Sequence, residues 1–144
     1  MKSIVETARE DSRLSISVRI ADAGGAAEFL PERGPYTAFI PGDEAYTKIP
    51  AEKVEAIAKD QEKLKDMIMY HVVQGKLTAR ELARMEAIRT LQGDHLDIAS
   101  SSEGVLVNEA TIIQPDIECT DGIYHIIDRV LIPRAVNARV TRSV

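Results

Sequence analysis

Three histidines are the side chains of this 144-residue sequence best suited to proton transfer near neutral pH. Two of them follow a tyrosine: Tyr70-His71 in "MIMYHVVQGKL" and Tyr124-His125 in "GIYHIIDRVLIP". The repeated dipeptide raises the question of two halves of one reactive site, and the flanking residues argue against it. Strand alternation puts Ile123, His125, Ile127 and Leu131 on one face and Tyr124, Ile126, Val130 and Ile132 on the other. His125 therefore belongs among aliphatics as a hydrogen-bonded core residue, because an unpaired buried polar group costs about 1–3 kcal/mol. His71 stands between Met67-Ile68 and Val72-Val73, where a helix must end and a strand begin, so its ring is expected to tie the two through backbone groups. Tyr70 can bury its ring and keep its hydroxyl bonded.

His95 lies in "GDHLDIA", and Asp-His-x-Asp resembles a metal cluster on paper. In a strand, however, His95 and Asp97 align while Asp94 points away. Zinc takes three or four protein ligands, so no metal site is expected. Cys119 is the only cysteine, which excludes an internal disulfide, and without a Cys-His-Asn context it reads as structural. No Gly-rich phosphate loop, "GxSxG" elbow, "HExxH" motif or paired cysteine occurs. Neither a catalytic residue nor a cofactor is expected.

The elements that must position these residues fall into two halves. "SIVETARE" opens with Ser3 and Glu6 at capping-box spacing, "TARELARM" repeats the device with Thr78 and Glu81, and Asp60 can cap a further helix. Leu14, Val18 and Ile20-Ala21 lie near one helical face before Gly24-Gly25 interrupts it. Tyr36 to Ile40 reads as a short strand, flanked by Pro35 and Pro41. From Ala87 the period becomes two, with turns at Gln92-Gly93-Asp94, Glu103-Gly104 and Asp121-Gly122 delimiting about four strands, largely antiparallel. Helices leading into hairpins indicate an α+β fold.

Length suits one domain, and 44% apolar with 28% charged residues excludes a disordered or fibrous chain. A net charge of −5 argues against a nucleic-acid backbone as partner. No stretch approaches the roughly 18 apolar residues of a membrane span, so membrane insertion is not expected. Residues 1–10 lack the apolar run of a signal peptide. Arg134, Arg139 and Arg142 in residues 134–144 read as a solvated basic tail.

Three ordered stretches resemble the signatures of fasciclin-like domains: "PYTAFIPGDEAYTKIP", "MIMYHVVQGKLTARELARMEAIRTLQG" and "TDGIYHIIDRVLIP". The resemblance covers Ser3 to Pro133 and places the domain at residues 1–133. It implies short helices packed on a mostly antiparallel β-sandwich or wedge, in a module of cell adhesion and matrix contact that is not an enzyme. It also implies candidate partner contacts at Asp116-Ile117 and at Tyr70-His71, which match sites proposed to meet integrins in animal members. Gly42 stands where the family often has Thr, leaving Asp43 or Gly42 to cap that turn; Asp43 thus joins His125 as a structural polar residue. A lone domain resembles bacterial or archaeal members, so the expected partner is an unidentified protein or cell-surface component rather than an integrin. The expectation is a monomeric, non-catalytic interaction module, extracellular or at the cell surface, with a cytoplasmic location as the alternative. The rival reading is a small-molecule or carbohydrate-binding protein, or an enzyme using Tyr70-His71.

Overall fold

The computed structural model of the chain describes residues 2–30 and 34–133, so the basic tail lies outside the described residues. The described residues form six helices: α1 (Ile4–Arg9), α2 (Ser15–Ala23), α3 (Ala26–Phe29), α4 (Ala51–Ala58), α5 (Gln61–Tyr70) and α6 (Ala79–Leu82). Tight helical turns at Ser12–Leu14 and Asp43–Lys48 join them. Seven strands follow the order β1 (Tyr36–Pro41), β2 (Val72–Gln74), β3 (Ala87–Arg89), β4 (His95–Ser101), β5 (Gly104–Val107), β6 (Ala110–Cys119) and β7 (Gly122–Ile127).

The strands form one sheet in the order β2-β1-β7-β6-β5-β4-β3. All neighbours are antiparallel except β1 and β7, which run parallel from Tyr36 opposite Gly122 to Pro41 opposite Ile127. The sheet curls until its ends meet: Leu91, just past β3, donates its N–H to the Val72 carbonyl of β2 at 2.8 Å. The fold is therefore α+β with a nearly closed sheet. Five strands lie beyond Ala87 rather than about four, because Asn108, at φ 53°, makes a further tight turn between β5 and β6. Asparagine tolerates that left-handed backbone, and "VNEA" carries no glycine to announce it.

Strand β7 is buried along all six residues. One of its faces contributes Ile127 to a core with Phe39, Tyr70, Val73, Leu82 and Leu96; the other contributes Tyr124 and Ile126 to a core with Ile4, Ala8, Leu14 and Tyr36. This matches the expected alternation. Its first residue must be glycine: a Cβ on Gly122, at φ 153°, would sit 1.8 Å from the Tyr36 carbonyl oxygen. A third cluster of Ile57, Leu64 and Met67 lies beneath α4 and α5.

Helices of four to ten residues fall below the roughly 12–15 residues that a helix needs to persist alone in water. Their ends are tied down. Both expected capping boxes form, at Ser3/Glu6 and Thr78/Glu81, and Asp60 accepts from the N–H groups of Glu62 and Lys63. Three further carboxylates reach helix N-termini from distant segments. Asp121 accepts from Ile4 N–H (2.9 Å), Asp116 from Ala79 N–H (2.8 Å) and Asp43 from Ile16 N–H (2.8 Å). Each places negative charge on the positive end of a helix dipole and satisfies an orphan donor.

Asp43 thus caps α2 across the chain rather than its own turn, whose cap position is Gly42, and it is half-buried rather than enclosed. Its second oxygen accepts from the Ser15 hydroxyl at 2.6 Å. Asp43→Ala is expected to lower the unfolding free energy by about 1–2 kcal/mol, and Asp43→Asn, which keeps an acceptor for Ile16, by less. Urea melts followed by circular dichroism measure this; an unchanged midpoint in Asp43→Ala would show that the tie is incidental.

Candidate functional site

The two Tyr-His pairs lie apart in the fold and do different work. His71 is the C-cap of α5, and its backbone N–H donates to the Ile68 carbonyl at 3.0 Å. Its Nδ1 faces the Met67 carbonyl at 2.7 Å, and its Nε2 accepts the Leu131 N–H at 2.9 Å. Since a backbone N–H can only donate, Nε2 is the bare nitrogen and Nδ1 carries the proton. The ring joins the end of α5 to the closing segment of the chain. Burial disfavours the cation and pushes the pKa down to about 4, the Met67 carbonyl opposing this only in part. Tyr70 beside it is 4% exposed. Its hydroxyl donates to the His95 carbonyl and accepts from the Asn108 amide, both at 3.1 Å. Neither member of this pair presents a free polar group at the surface.

His125 has no exposed surface and stacks on Phe39 at 5.8 Å between centroids. Its Nδ1 accepts the Asp116 N–H at 3.0 Å, so the proton sits on Nε2, which donates to the Leu77 carbonyl at 2.8 Å. Burial lowers its pKa, while the Leu77 carbonyl and then the Asp116 carboxylate act the other way. The ring is neutral, and the Asp116 oxygen 3.8 Å from Nδ1 makes no ion pair with it.

That imidazole repairs a gap in the sheet. Pairing of β6 with β7 slips twice, between Ile112 and Gln114 and between Gln114 and Ile117. Residues Ile113, Gln114, Pro115 and Asp116 stand exposed along this break. Pro115 suits the position because it has no N–H to leave unpaired. Asp116 adopts φ 59°, in the left-handed region, and turns its N–H inward to His125 instead of along the ladder. Its carboxylate, 45% exposed, takes the Ala79 N–H at the start of α6. The Asp-Ile pair is therefore split: Asp116 is outward but anchored, whereas Ile117 is half-buried against Cys119 and Tyr124.

Ile113, at 58% exposure, is the exposed large hydrophobic residue of the described chain, and the sequence reading passed over it. The signal was present: of two adjacent isoleucines in a strand, Ile112 and Ile113, one must face away from the core.

His95 is exposed between two carboxylates, Asp94 at 3.6 Å and Asp97 at 3.5 Å. Asp94 does not point away as strand alternation implied. It precedes β4, where alternation has not begun, and its carboxylate folds back on the His95 N–H at 2.9 Å. Among the described residues no cluster of three or more His, Cys, Asp or Glu side chains is arranged to hold a metal ion. Cys119 is buried, its thiol beside the Thr7 hydroxyl at 3.5 Å, and burial raises its pKa, away from the thiolate a nucleophile needs.

Comparison with known proteins adds a pattern to this geometry. The family model described as the Fasciclin domain matches residues 12–133. A protein of Synechocystis, uncharacterized protein sll1735, is 36% identical over 132 residues, which is 92% of this chain and 98% of that protein. The cell surface glycolipoprotein MPB83 of Mycobacterium bovis is 28% identical over 102 residues, 71% of this chain and 46% of its own. Among solved structures, a FAS1 domain pair from the insect cell adhesion molecule Fasciclin I superposes with a TM-score of 0.78 at 20% identity, covering 94% of this chain and 52% of that one.

Proposed function

The chain belongs to the fasciclin domain family, and on that premise we propose that it is a non-catalytic adhesion or protein-interaction module, secreted or held at the cell surface. Fasciclin domains are found in cell-adhesion and extracellular-matrix proteins, and one relative is named as a cell-surface glycolipoprotein. Among the described residues no helix is long and apolar enough to cross a membrane. The partner is a protein or cell-surface component, and the chain meets it as a monomer, so sedimentation should give the mass of one chain.

One observation carries the reading: the exposed run Ile113–Asp116 is held outward at a break in β6 by two bonds from inside the fold. A contact surface already fixed before association loses less conformational freedom when it binds. Ile113 supplies an apolar anchor, Asp116 a carboxylate at its edge, and half-buried Ile117 the packing beneath. His71 and His125 support the non-catalytic part, since both nitrogens of each ring are committed to backbone groups. Tyr70 and His71 then serve the architecture behind the surface rather than the contact.

Labelled protein added to intact cells of its own source tests this. Ile113→Glu is expected to lower bound protein about tenfold or more, with the melting curve unchanged, because an apolar anchor is lost at a site that contributes little to folding. Asp116→Asn isolates the charge: asparagine tolerates φ 59° and can still accept from Ala79, whereas alanine would lose both. Wild-type binding by both variants would remove this surface from the proposal.

A further inference from the structure

Helix α2 is amphipathic, yet none of its residues is buried. Its apolar side, with Val18, Ile20 and Ala21, fronts a half-open apolar pocket of about 120 Å³ that Ala38, Ile40 and Ile68 also line. The helix is held off this space at both ends. Asp43 grips Ser15 and Ile16 at its start, and the Ser17 hydroxyl donates to the Pro41 carbonyl at 2.6 Å. At the far end the Gln61 amide donates to the Ala23 carbonyl at 3.2 Å. Gly24 already meets α5 there, since a Cβ on it would lie 2.5 Å from Ile68 Cδ1. Helix α2 therefore bridges the space and cannot settle into it.

Apolar walls that face water gain free energy when an apolar group covers them. The walls also define what fits. Ser17 is committed to Pro41 and to the Tyr46 hydroxyl, and both nitrogens of His71, which borders the cavity, are occupied. At the rim, Arg9 and Asp22 neutralise each other, with Arg9 Nη1 donating to Asp22 at 3.0 Å. Among the described residues no buried side-chain nitrogen or oxygen lacks a partner. A sugar would bring hydroxyls with nothing to bond, and an anion would find its cation taken. An enclosed apolar cavity of about 150 Å³ accepts benzene or xenon, and this half-open pocket of about 120 Å³ has room for a group of similar size.

We propose that the cavity beneath α2 is a binding site for a small neutral hydrocarbon group of about benzene size, whether a free molecule or the apolar end of a larger one. The site is separate from the Ile113–Asp116 surface, and neither proposal depends on the other. The test titrates benzene and phenol into the full chain and follows the methyl resonances of Val18, Ile20, Ile40 and Ile68. Benzene is expected to shift them saturably, and phenol to bind no more tightly, because the lining offers its hydroxyl no free partner. Ala21→Leu and Val18→Phe fill the cavity and should each raise the benzene Kd at least tenfold. Absence of saturable shifts in the wild type, or phenol binding more tightly than benzene, would overturn the proposal. Both of those outcomes are read on the unmodified protein, so they stand even if a filled variant does not fold. Unaltered benzene binding by both filled variants would place any site elsewhere.

Discussion

Replacing His125 by alanine is expected to lower the unfolding free energy by about 3–5 kcal/mol, an effect of the size found for large core truncations. The ring fills space against Phe39 with no exposed surface, so its loss opens a cavity in the most buried strand. It also strands the Asp116 N–H and the Leu77 carbonyl, each left without the partner that the imidazole now supplies. An unsatisfied buried polar group costs about 1–3 kcal/mol on its own, so packing and polar losses combine. His125→Phe separates them: it restores most of the ring volume and leaves both backbone groups unpaired. It should therefore cost less than alanine but still about 2 kcal/mol or more. The chain has no tryptophan, so far-UV circular dichroism in urea is the suitable readout. A loss below about 1 kcal/mol in His125→Ala would mean that the ring does not brace the sheet. The alanine variant should also bind cells less well than its remaining folded fraction explains, because Asp116 would lose one of its two anchors.

Acidification should unfold the protein through His71. The unfolded-state pKa is the ordinary 6.5, and burial lowers the folded-state value to about 4. Below pH 6.5 the unfolded chain binds a proton that the folded chain refuses. The stability contributed by the neutral ring is thus complete above pH 6.5, declines as pH falls, and is fully lost below about pH 4. At 1.36 kcal/mol per pKa unit, the total is about 3 kcal/mol. His125 is shifted in the same direction and adds to the loss. The Asp11 carboxylate also works this way, since the Arg13 guanidinium holds it below the usual range, but its share disappears at lower pH than the onset for histidine. Stability measured every half unit from pH 7.5 to 4 should therefore fall with a slope near one proton or more. His71→Gln should be less stable at pH 7 and should flatten that slope by about one proton, roughly 1.4 kcal/mol per pH unit. An identical slope in the variant would assign the acid sensitivity to other groups.

The legible parts of the fold are those fixed within a few residues. Ser3-Glu6, Thr78-Glu81 and Asp60 announced helix starts because a cap bonds only two or three positions away. Asp121-Gly122 marked the last hairpin and Pro35 the start of β1 for the same reason, although β1 takes in Pro41 as its last residue. The alternation of Tyr124 and Ile126 against His125 and Ile127 is equally local. Non-local pairings were silent. Nothing in the sequence around Asp43, Asp116 or Asp121 shows that each caps a helix 27 to 117 residues away. The parallel pairing of β1 with β7 left no mark either, since a buried parallel strand and a buried antiparallel one have the same composition. The cavity beneath α2 depends on how far two helices stand apart, which no residue spacing encodes. At the candidate surface, the resemblance supplied Asp116 and Ile117, but only the double slip in β6 shows that Ile113 is the exposed apolar residue beside them.

The central claim is that the imidazoles of both Tyr-His pairs are neutral braces of the fold and that contact with a partner is left to the surface of β6. Nitrogen-15 NMR of the imidazoles from pH 8 to 4.5 measures this directly, because ring shifts report both protonation and tautomer. His71 should remain neutral down to about pH 5 with its proton on Nδ1, and His125 should titrate below the ordinary histidine range, its neutral form carrying the proton on Nε2. Titration of either ring near pH 6.5, or rapid exchange between its tautomers, would show an accessible and chemically free imidazole and would contradict the claim.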